Sequence, residues 1–379
     1  MDPFILNNPT VLHFGKDVIN DLGKTIQPFG KKVLLVYGKN SIKENGIYRK
    51  VIDQLKSINA EVFEYSGIKS NPVITDVDAA AELGRKNNVE VILAVGGGSV
   101  IDSAKIISIA IPVQNPAWEF FEYKIKPQKS IPLITILTLA ATGTEMNSFA
   151  VVQNEQTKEK PGYGHRLLYP RHSFLDPQNT FSVSKEYTAY GIADLIAHSL
   201  EAYFGKGDAS LSDKFSIAII KEAIEFGPAL LDDLKNYELR SKIMYAATMA
   251  LNGLTLTGKP SGDWGVHSIG HCFSVLYDTP HGASLTIAYP AWFRLMKNRI
   301  SDQIQHLGKE LFNVNYVDET INKFEQFFQQ IGCPVKLADI GIAQNKFPEI
   351  IEVMKINKVD GMNFKFEEGD YEKLLELMA

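Results

Sequence analysis

The chain has 379 residues, enough for about two domains with sizeable hydrophobic cores. Hydrophobic residues make up 45% of the chain and charged residues 22%, which excludes a largely disordered protein. Its 39 basic and 44 acidic side chains give a net charge of −5 without basic blocks, which argues against nucleic acids and anionic membranes as partners.

The first half of the chain alternates strand-like with helix-like segments. Segments rich in Val, Leu and aromatic residues predict strands at residues 11–15, 33–37, 61–65, 89–95 and 133–137. Between them apolar residues recur at helical spacing, as in residues 51–58. The runs 33–37 and 91–95 are continuously apolar, as in strands that helices cover on both faces. The alternation predicts an α/β domain built on a parallel sheet.

Long helical patterns dominate the chain after the dipeptide Asp176-Pro177. They cover residues 186–204, 238–251 and 317–331. In the first of them Asp194, His198 and Glu201 share a face that the apolar residues leave free. We place a domain boundary within residues 174–184, which predicts an α/β domain at 1–180 and an all-α domain at 181–379.

A glycine-rich loop follows the apolar run 91–95 and leads into a helix. Residues 96–102 read Gly-Gly-Gly-Ser-Val-Ile-Asp, and glycines allow the backbone to approach a bulky anion. The start of the helix adds free N–H groups and the positive end of the helix dipole. We therefore expect Gly97, Gly98 and Ser99 to bind a pyrophosphate. Alternatively, Ser99 and Asp102 form a capping box that needs no ligand.

The segment after the strand 33–37 bears on the choice of dinucleotide. NAD is usually recognised by a carboxylate near the end of an early strand. Here the strand is followed by Gly38, Lys39, Asn40 and Ser41, with no acid before Glu44. A small residue followed by Lys and Ser favours the 2′-phosphate of NADP, whereas the alternative is an ordinary cationic loop.

Carboxylate and imidazole side chains recur at helical spacing in the second half. Asp194 and His198 lie four residues apart, His267 and His271 have the same spacing, and His281 follows. Carboxylate and imidazole are ligands for Zn²⁺ or Fe²⁺ rather than Ca²⁺ or Mg²⁺. The set predicts a catalytic metal site, although each histidine alone is as well explained as a core or surface residue. Spacing does not decide whether His267, His271 or both bind the metal.

Four ordered motifs carry a resemblance to a known family. They are residues 96–105, 142–145, 189–201 and 267–271. Through them the chain resembles the iron-containing (group III) alcohol dehydrogenases over almost its full length. Within that family it is most similar to the NADPH-dependent butanol dehydrogenase and aldehyde reductase branch. The resemblance implies a dehydroquinate synthase-like fold, with a dinucleotide-binding domain at 1–180 and a metal-binding catalytic domain at 181–379.

The resemblance also implies roles for individual residues. The family's metal ligands match Asp194, His198, His267 and His281. His271 falls near nicotinamide and substrate, where it serves as the catalytic proton relay or orients the substrate. The positions that match the family's coenzyme side are Gly38, Gly97, Gly98, Ser99, Asp102, Thr138 and Thr142, and Lys160 matches a lysine of the cleft. Lys39 and Ser41 are expected to contact the 2′-phosphate, although Lys39-Asn40-Ser41 departs from the Gly-rich run that is more usual in the family.

The implied activity is hydride transfer between NADP(H) and short- to medium-chain primary alcohols or aldehydes of the butanol type. The expected cofactors are NADP(H), with NAD(H) as the alternative, and Fe²⁺ or Zn²⁺. An NAD-dependent polyol dehydrogenase of the glycerol dehydrogenase type is the rival enzyme. A metal hydrolase would leave the glycine loop without a purpose, and a nucleotide-binding sensor would not need the metal ligands.

The remaining expectations concern assembly and location. The family implies a homodimer or larger homo-oligomer. Two cysteines suit a reducing compartment, and the N-terminal Met-Asp-Pro-Phe lacks the features of a secretion signal. No apolar stretch is long enough to span a bilayer. These features predict a cytoplasmic enzyme with a small-molecule substrate and without nucleic-acid or membrane partners.

Overall fold

The computed structural model describes residues 1–379. The chain divides into two compact units. The N-terminal unit comprises Asn7–Val183 and Lys235–Met244, and the C-terminal unit comprises Met1–Leu6, Ser184–Leu234 and Tyr245–Ala379. None of the helices combines the length and the apolar character that a bilayer-spanning segment requires.

The N-terminal unit is built on a six-stranded parallel sheet. Its strands and those of a small hairpin are β1 (Val11–Phe14), β2 (Lys32–Tyr37), β3 (Glu61–Tyr65), β4 (Val91–Gly96), β5 (Leu133–Leu137), β6 (Phe149–Val151), β7 (Gly162–Gly164) and β8 (His172–Leu175). The order in the large sheet is β1-β8-β5-β4-β2-β3, and β6 pairs with β7 in antiparallel fashion. The predicted parallel sheet is confirmed.

Apolar side chains cover both faces of this sheet. Along β2, Leu34 and Val36 belong to one buried cluster, whereas Val33 and Leu35 belong to the cluster on the other face. Successive residues of a strand point to opposite faces, so a strand buried on both sides must be apolar at every position. This is why the runs 33–37 and 91–95 show no alternation.

Six helices surround the sheet of the N-terminal unit. They are α1 (Leu22–Ile26), α2 (Ser41–Glu44), α3 (Ile47–Ser57), α4 (Ile74–Asn87), α5 (Gly98–Ala110) and α6 (Trp118–Phe121). The strand predicted from residue 89 begins at Val91 instead. Val89 still belongs to the turn that ends α4, because its N–H donates to the carbonyl of Gly84 at 3.1 Å. The strand β8 and the hairpin β6–β7 were not predicted.

The C-terminal unit is helical. Its helices are α7 (Lys185–Tyr203), α8 (Ser210–Asp232), α10 (Gly265–Tyr277), α11 (His281–Met296), α12 (Ser301–Phe312), α13 (Val317–Gln330), α14 (Phe347–Ile356) and α15 (Asp370–Met378). Helix α9 (Tyr237–Ala250) is divided between the units. Helix α11 packs against α7 and α10. The predicted all-α character of this half is confirmed, and the three predicted helices differ from the observed ones by no more than one residue at either end.

Short 3₁₀ helices connect several of these elements. They are Val18–Asp21, Gln27–Phe29, Thr144–Met146, Arg166–Leu168, Pro177–Thr180, Leu337–Ile340 and Gln344–Lys346. The turn at Thr144–Met146 follows β5 and lies next to α5, where it contributes to the candidate site.

Candidate active site

The glycine-rich loop lies between β4 and α5. Strand β4 ends at Gly96, Gly97 is the N-cap residue, and α5 begins at Gly98. The first N–H groups of a helix lack intrahelical partners and point along the positive end of its dipole, so this end attracts an anion. A Cβ at Gly98 would lie 2.8 Å from Thr142. Glycine is therefore needed here also for close packing against the segment after β5.

Predicted coenzyme residues follow three neighbouring strands at the carboxyl ends of those strands. Gly38 follows β2, Gly97 follows β4, and Thr138 follows β5. The N–H of Thr138 donates to the carbonyl of Gly96 at 3.0 Å. In the sheet, β3 lies on the outer side of β2, whereas β5 lies on the opposite side, next to β4. The direction in which strands are added therefore reverses between β2 and β4. Dinucleotides bind outside the carboxyl ends of strands at such a point.

The capping box considered as the alternative for Ser99 and Asp102 does not form. Gly97 is the N-cap residue, so Ser99 already lies inside the helix, where its hydroxyl donates to a backbone carbonyl of another loop. Asp102 instead accepts hydrogen bonds from the hydroxyl of Thr144 at 2.5 Å and from the N–H of Val151 at 2.9 Å. Its carboxylate joins α5 to the turn after β5.

A buried lysine, which was not predicted from the sequence, donates hydrogen bonds to the same turn. Lys105 on α5 is fully buried and donates to the Thr144 hydroxyl at 2.6 Å, to Asn147 Oδ1 at 2.9 Å and to the Phe149 carbonyl at 2.6 Å. Burial lowers the pKa of Lys105 to about 8, against the opposing charge of Asp102. The available signal was its place as the one basic residue of α5.

The other predicted coenzyme residues differ in their surroundings. Lys160 is buried and donates to Asn71 Oδ1 at 2.7 Å. Lys39 and Ser41 are exposed. A Cβ at Gly38 would meet no atom closer than 3.6 Å. The position therefore has room for a Cβ atom.

The second predicted site lies in the C-terminal unit, where three helices meet. Asp194 and His198 lie one turn apart on α7. His267 lies on α10, and His281 is the first residue of α11. Asp194 Oδ1 lies 3.7 Å from His267 Nε2 and 3.7 Å from His281 Nε2, and the ligand atoms of these three residues lie within 4.8 Å of one another. Two ligands of one tetrahedral cation lie roughly 3.4 Å apart, so this spacing suits a metal ion.

Two atoms of this group have no hydrogen bond. Asp194 Oδ1 and His267 Nε2 are both buried without a hydrogen-bond partner. Buried polar atoms in that state are rare and costly unless a ligand or an ion satisfies them. A carboxylate with imidazoles is a donor set for Fe²⁺ or Zn²⁺. The residues present therefore fit a divalent metal.

The two remaining histidines lie beside this group. His198 Nδ1 is 2.9 Å from the main-chain oxygen of Asp194, which leaves Nε2 as its nitrogen for a metal. The rings of His198 and His267 lie 4.5 Å apart, measured between centroids. His271 lies one turn after His267 on α10, and its ring centroid is 5.3 Å from that of His281. The structure thus gathers all five predicted residues, while the metal-ligand roles of Asp194, His198, His267 and His281 and the catalytic role of His271 remain predictions.

The charges of these groups depend on their burial and on one another. Burial alone would raise the pKa of Asp194, but the surrounding imidazoles outweigh it and hold this pKa well below its usual range. Burial lowers the pKa of His198 to about 4. Burial also acts to lower the pKa of His267, but the carboxylates of Asp194 and Glu201 outweigh it and raise this pKa to about 9. In the absence of a metal, His267 therefore holds a proton where the cation would bind.

Glu201 also contacts this group of residues. The sequence predicted that it shares a helix face with Asp194 and His198, but it did not predict this contact. Glu201 follows Asp194 by two turns on α7, and its Oε1 lies 2.8 Å from His267 Nδ1. The contact joins residues that are distant in the sequence, so the spacing on α7 alone does not reveal it.

Comparisons with known proteins cover both units. Residues 9–177 match the family model "Iron-containing alcohol dehydrogenase", and residues 188–378 match "Fe-containing alcohol dehydrogenase family, C-terminal". The chain is 38% identical to the probable NADH-dependent butanol dehydrogenase 1 of Bacillus subtilis, over 100% of this chain and 99% of that protein. It is 33% identical to the NADPH-dependent aldehyde reductase YqhD of Escherichia coli, over 94% of this chain and 93% of that protein.

A solved structure agrees with these sequence matches. The crystal structure of NADH-dependent butanol dehydrogenase A from Thermotoga maritima superimposes on the chain with a TM-score of 0.97 at 37% identity. The match covers 100% of this chain and 99% of that one. The resemblance inferred from the four motifs is confirmed. The chain therefore belongs to the iron-containing alcohol dehydrogenase family, and it is an NAD(P)- and metal-dependent alcohol dehydrogenase of the butanol dehydrogenase and aldehyde reductase branch.

Proposed function

We propose that the enzyme interconverts short- to medium-chain primary alcohols and their aldehydes, with butanal as a representative substrate and NADP(H) as the preferred coenzyme. The observation that carries this proposal is the group formed by Asp194, His267 and His281, whose buried ligand atoms suit one divalent cation. The names of relatives that reduce or form butanol and aldehydes support the substrate class.

The metal would be held by Asp194, His198, His267 and His281. When bound, a divalent cation such as Fe²⁺ or Zn²⁺ supplies a Lewis acid for the oxygen of the substrate. Burial of the ligands excludes water from them. Of the four side chains only His281 is substantially exposed, at 24%, which supports its side of the site as the approach for substrate.

The coenzyme would be held by the N-terminal unit. Gly97, Gly98 and Ser99 at the start of α5 suit its pyrophosphate, because backbone N–H groups and the helix dipole favour negative charge there. Thr138, Thr142, Asp102 and Lys160 complete the set expected on that side. The division at residues 180 and 181 into a coenzyme-binding and a metal-binding domain is part of the same proposal.

NADP preference is proposed from the end of β2. Gly38 carries no carboxylate to repel a 2′-phosphate, and Lys39 and Ser41 offer a cation and a hydroxyl nearby. The substitution Gly38→Asp tests this directly, because its Cβ finds room. We expect the ratio of kcat/KM for NADPH to that for NADH to fall at least about tenfold, by loss of more than about 1.4 kcal/mol of binding preference. An unchanged ratio refutes the assignment.

His271 is proposed as the group that passes a proton to the alcohol oxygen, directly or through water. Imidazole titrates near neutral pH, and His271 lies next to the ring of His281. The substitution His271→Ala should change the pH dependence of turnover. If it lowers turnover without changing the pH profile, His271 orients the substrate only.

The experiment that tests the whole proposal uses chelator-treated enzyme. Oxidation of NADPH and, separately, of NADH is followed with butanal before and after addition of Fe²⁺ or Zn²⁺, and glycerol is tested in the reverse direction. We expect metal-restored activity with butanal and NADPH. Turnover of glycerol with NAD in place of butanal would instead identify a polyol dehydrogenase. Loss of metal dependence would refute the ligand assignment.

We further propose a cytoplasmic location and a homodimer or larger homo-oligomer. Support comes from the family, from the two buried cysteines that suit a reducing compartment, and from the exposed residues Val11 and Phe14 on the edge strand β1. Sedimentation of the purified enzyme measures its assembly state.

A further inference from the structure

Three N–H groups from one helix start converge on the carboxylate of Glu201. Its Oε1 accepts from His267 Nδ1 at 2.8 Å and from the His267 backbone N–H at 3.0 Å. Its Oε2 accepts from the backbone N–H of Trp264. The residue is 1% exposed, so water does not compete for these bonds. Both oxygens are thus committed to α10 and its N-cap.

The chemistry of the pair fixes the proton on His267. A carboxylate is an acceptor, so the Nδ1 of His267 must be the nitrogen that carries hydrogen in this contact. A neutral imidazole protonated at Nδ1 has its lone pair at Nε2. That is the atom which lies 3.7 Å from Asp194 Oδ1 and has no hydrogen-bond partner. The lone pair is therefore presented toward the group that suits a cation.

The same carboxylate fixes the ring's position. Trp264, the N-cap residue of α10, has a φ of 63° and provides no side-chain cap. Glu201 provides that cap from α7, two turns beyond Asp194. One side chain therefore holds both the backbone from which His267 projects and the far side of its ring. Since α7 also carries Asp194 and His198, Glu201 sets the spacing between ligands from the two helices.

We infer that Glu201 is a positioning residue of the metal centre, which holds His267 in the Nδ1–H tautomer with Nε2 aimed at the cation. The inference rests on the ligand set in the proposed function. Carboxylates that accept from the far nitrogen of a metal-binding histidine raise its basicity and fix its orientation, and their loss typically weakens metal binding by about 10–100-fold.

The test compares Glu201→Gln with the wild-type protein. Glutamine has the same shape but offers one carbonyl oxygen, so an NH₂ group must face either the Trp264 N–H or the two donors of His267. Glu201→Asp is the second variant, because it keeps both acceptors on a shorter side chain. Asp263→Asn is the matched control, since Asp263 is an equally buried carboxylate at the start of α10 whose Oδ1 accepts only backbone N–H groups, those of Asn363 and Phe364.

Two measurements are made on chelator-treated protein loaded with Co²⁺, neither of which depends on turnover. The first is the dissociation constant for Co²⁺, from competition with a chromophoric chelator. The second is the proton NMR spectrum of the Co²⁺ protein, in which the metal shifts the imidazole N–H of His267 away from other signals. Circular dichroism verifies that each variant is folded.

We expect Glu201→Gln to bind Co²⁺ about 10–100-fold more weakly and to lose or shift the His267 N–H signal. Glu201→Asp should fall between it and wild type, and Asp263→Asn should bind Co²⁺ as wild type does. Equal affinity and an unchanged signal in Glu201→Gln overturn the inference and leave the ligand set intact. Equal weakening by Asp263→Asn also overturns it, because the effect is then one of the helix start in general. Failure of the wild-type protein to bind Co²⁺ overturns the ligand set itself.

Discussion

Replacement of Lys105 by methionine should destabilise the N-terminal unit strongly. The ammonium group of Lys105 is fully buried, uses its three N–H groups, and lies near the carboxylate of Asp102. Methionine is apolar and of similar length, so the substitution removes the charge and the donors without opening a large cavity. It leaves the Phe149 carbonyl without this donor and Asp102 without its neighbouring cation.

The magnitude follows from these losses. Each hydrogen bond from a charged donor contributes about 1.5–3 kcal/mol, and Lys105 makes three of them. Burial of the apolar methionine side chain offsets part of their loss, so we expect a net cost of about 3–5 kcal/mol. Loss of the Lys105 hydrogen bond at the buried side chains of Thr144 and Asn147 accounts for about 1–3 kcal/mol of this cost. For a unit of 150–250 residues, each kcal/mol lowers the melting temperature by about 2–4 °C, so we expect a drop of roughly 6–20 °C.

The assay is thermal and urea-induced unfolding followed by circular dichroism. Lys129→Met serves as control, because Lys129 is exposed and its replacement should change the free energy of unfolding by less than about 0.5 kcal/mol. A loss of under about 1 kcal/mol in Lys105→Met would refute the reasoning. It would mean that the turn after β5 does not depend on the buried ammonium group.

Three further predictions use the same structure. Gly98→Ala should weaken coenzyme binding about tenfold or more, because the new methyl group would lie 2.8 Å from Thr142. Calorimetric titration with NADPH measures the affinity, and an unchanged affinity would contradict the coenzyme-binding role of the loop. Gly282→Ala should cost about 1–3 kcal/mol of stability, because its Cβ would lie 2.3 Å from the rigid backbone oxygen of Tyr190, as urea unfolding would measure. The dissociation constant for Co²⁺ should fall about tenfold per pH unit between about pH 6.5 and 8.5 and level off above about 9, because one proton leaves His267 on binding. Equilibrium dialysis against buffers of different pH measures this constant, and a value that does not change with pH would contradict the prediction.

The parallel sheet could be predicted well from the sequence because its central strands are apolar at nearly every position. The run 33–37 and the strand at Leu133–Leu137 contain no strongly polar residue, and Thr135 is the one hydroxyl among them apart from Tyr37. An amphipathic helix would need polar residues on its exposed face. The strand His172–Leu175 escaped prediction because it is four residues long and begins with His and Ser. Its pairing comes from β1 and β5, which lie far away in the sequence.

The site was predicted best where its residues share one helix. Asp194 and His198 on α7 are an example, because helical spacing fixes their common face. The capping box at Ser99 does not form because the helix begins at Gly98, two residues earlier than that cap requires, and the Ser99 hydroxyl donates to the carbonyl of Ser70 instead. The partners of Glu201 and Lys105 come from other elements, so only the folded chain identifies them.

The proposed metal ligands come from three separate helices, α7, α10 and α11. A single ion at this position would act as a removable cross-link, added to the packing and the hydrogen bonds that already join these helices. A ligand that binds only the folded state stabilises it by about 4 kcal/mol at a thousand times its dissociation constant. Proteases act on opened chains, so metal shortage in a cell would shorten the lifetime of the enzyme as well as stop its turnover. The amount of this protein would then follow the supply of its metal.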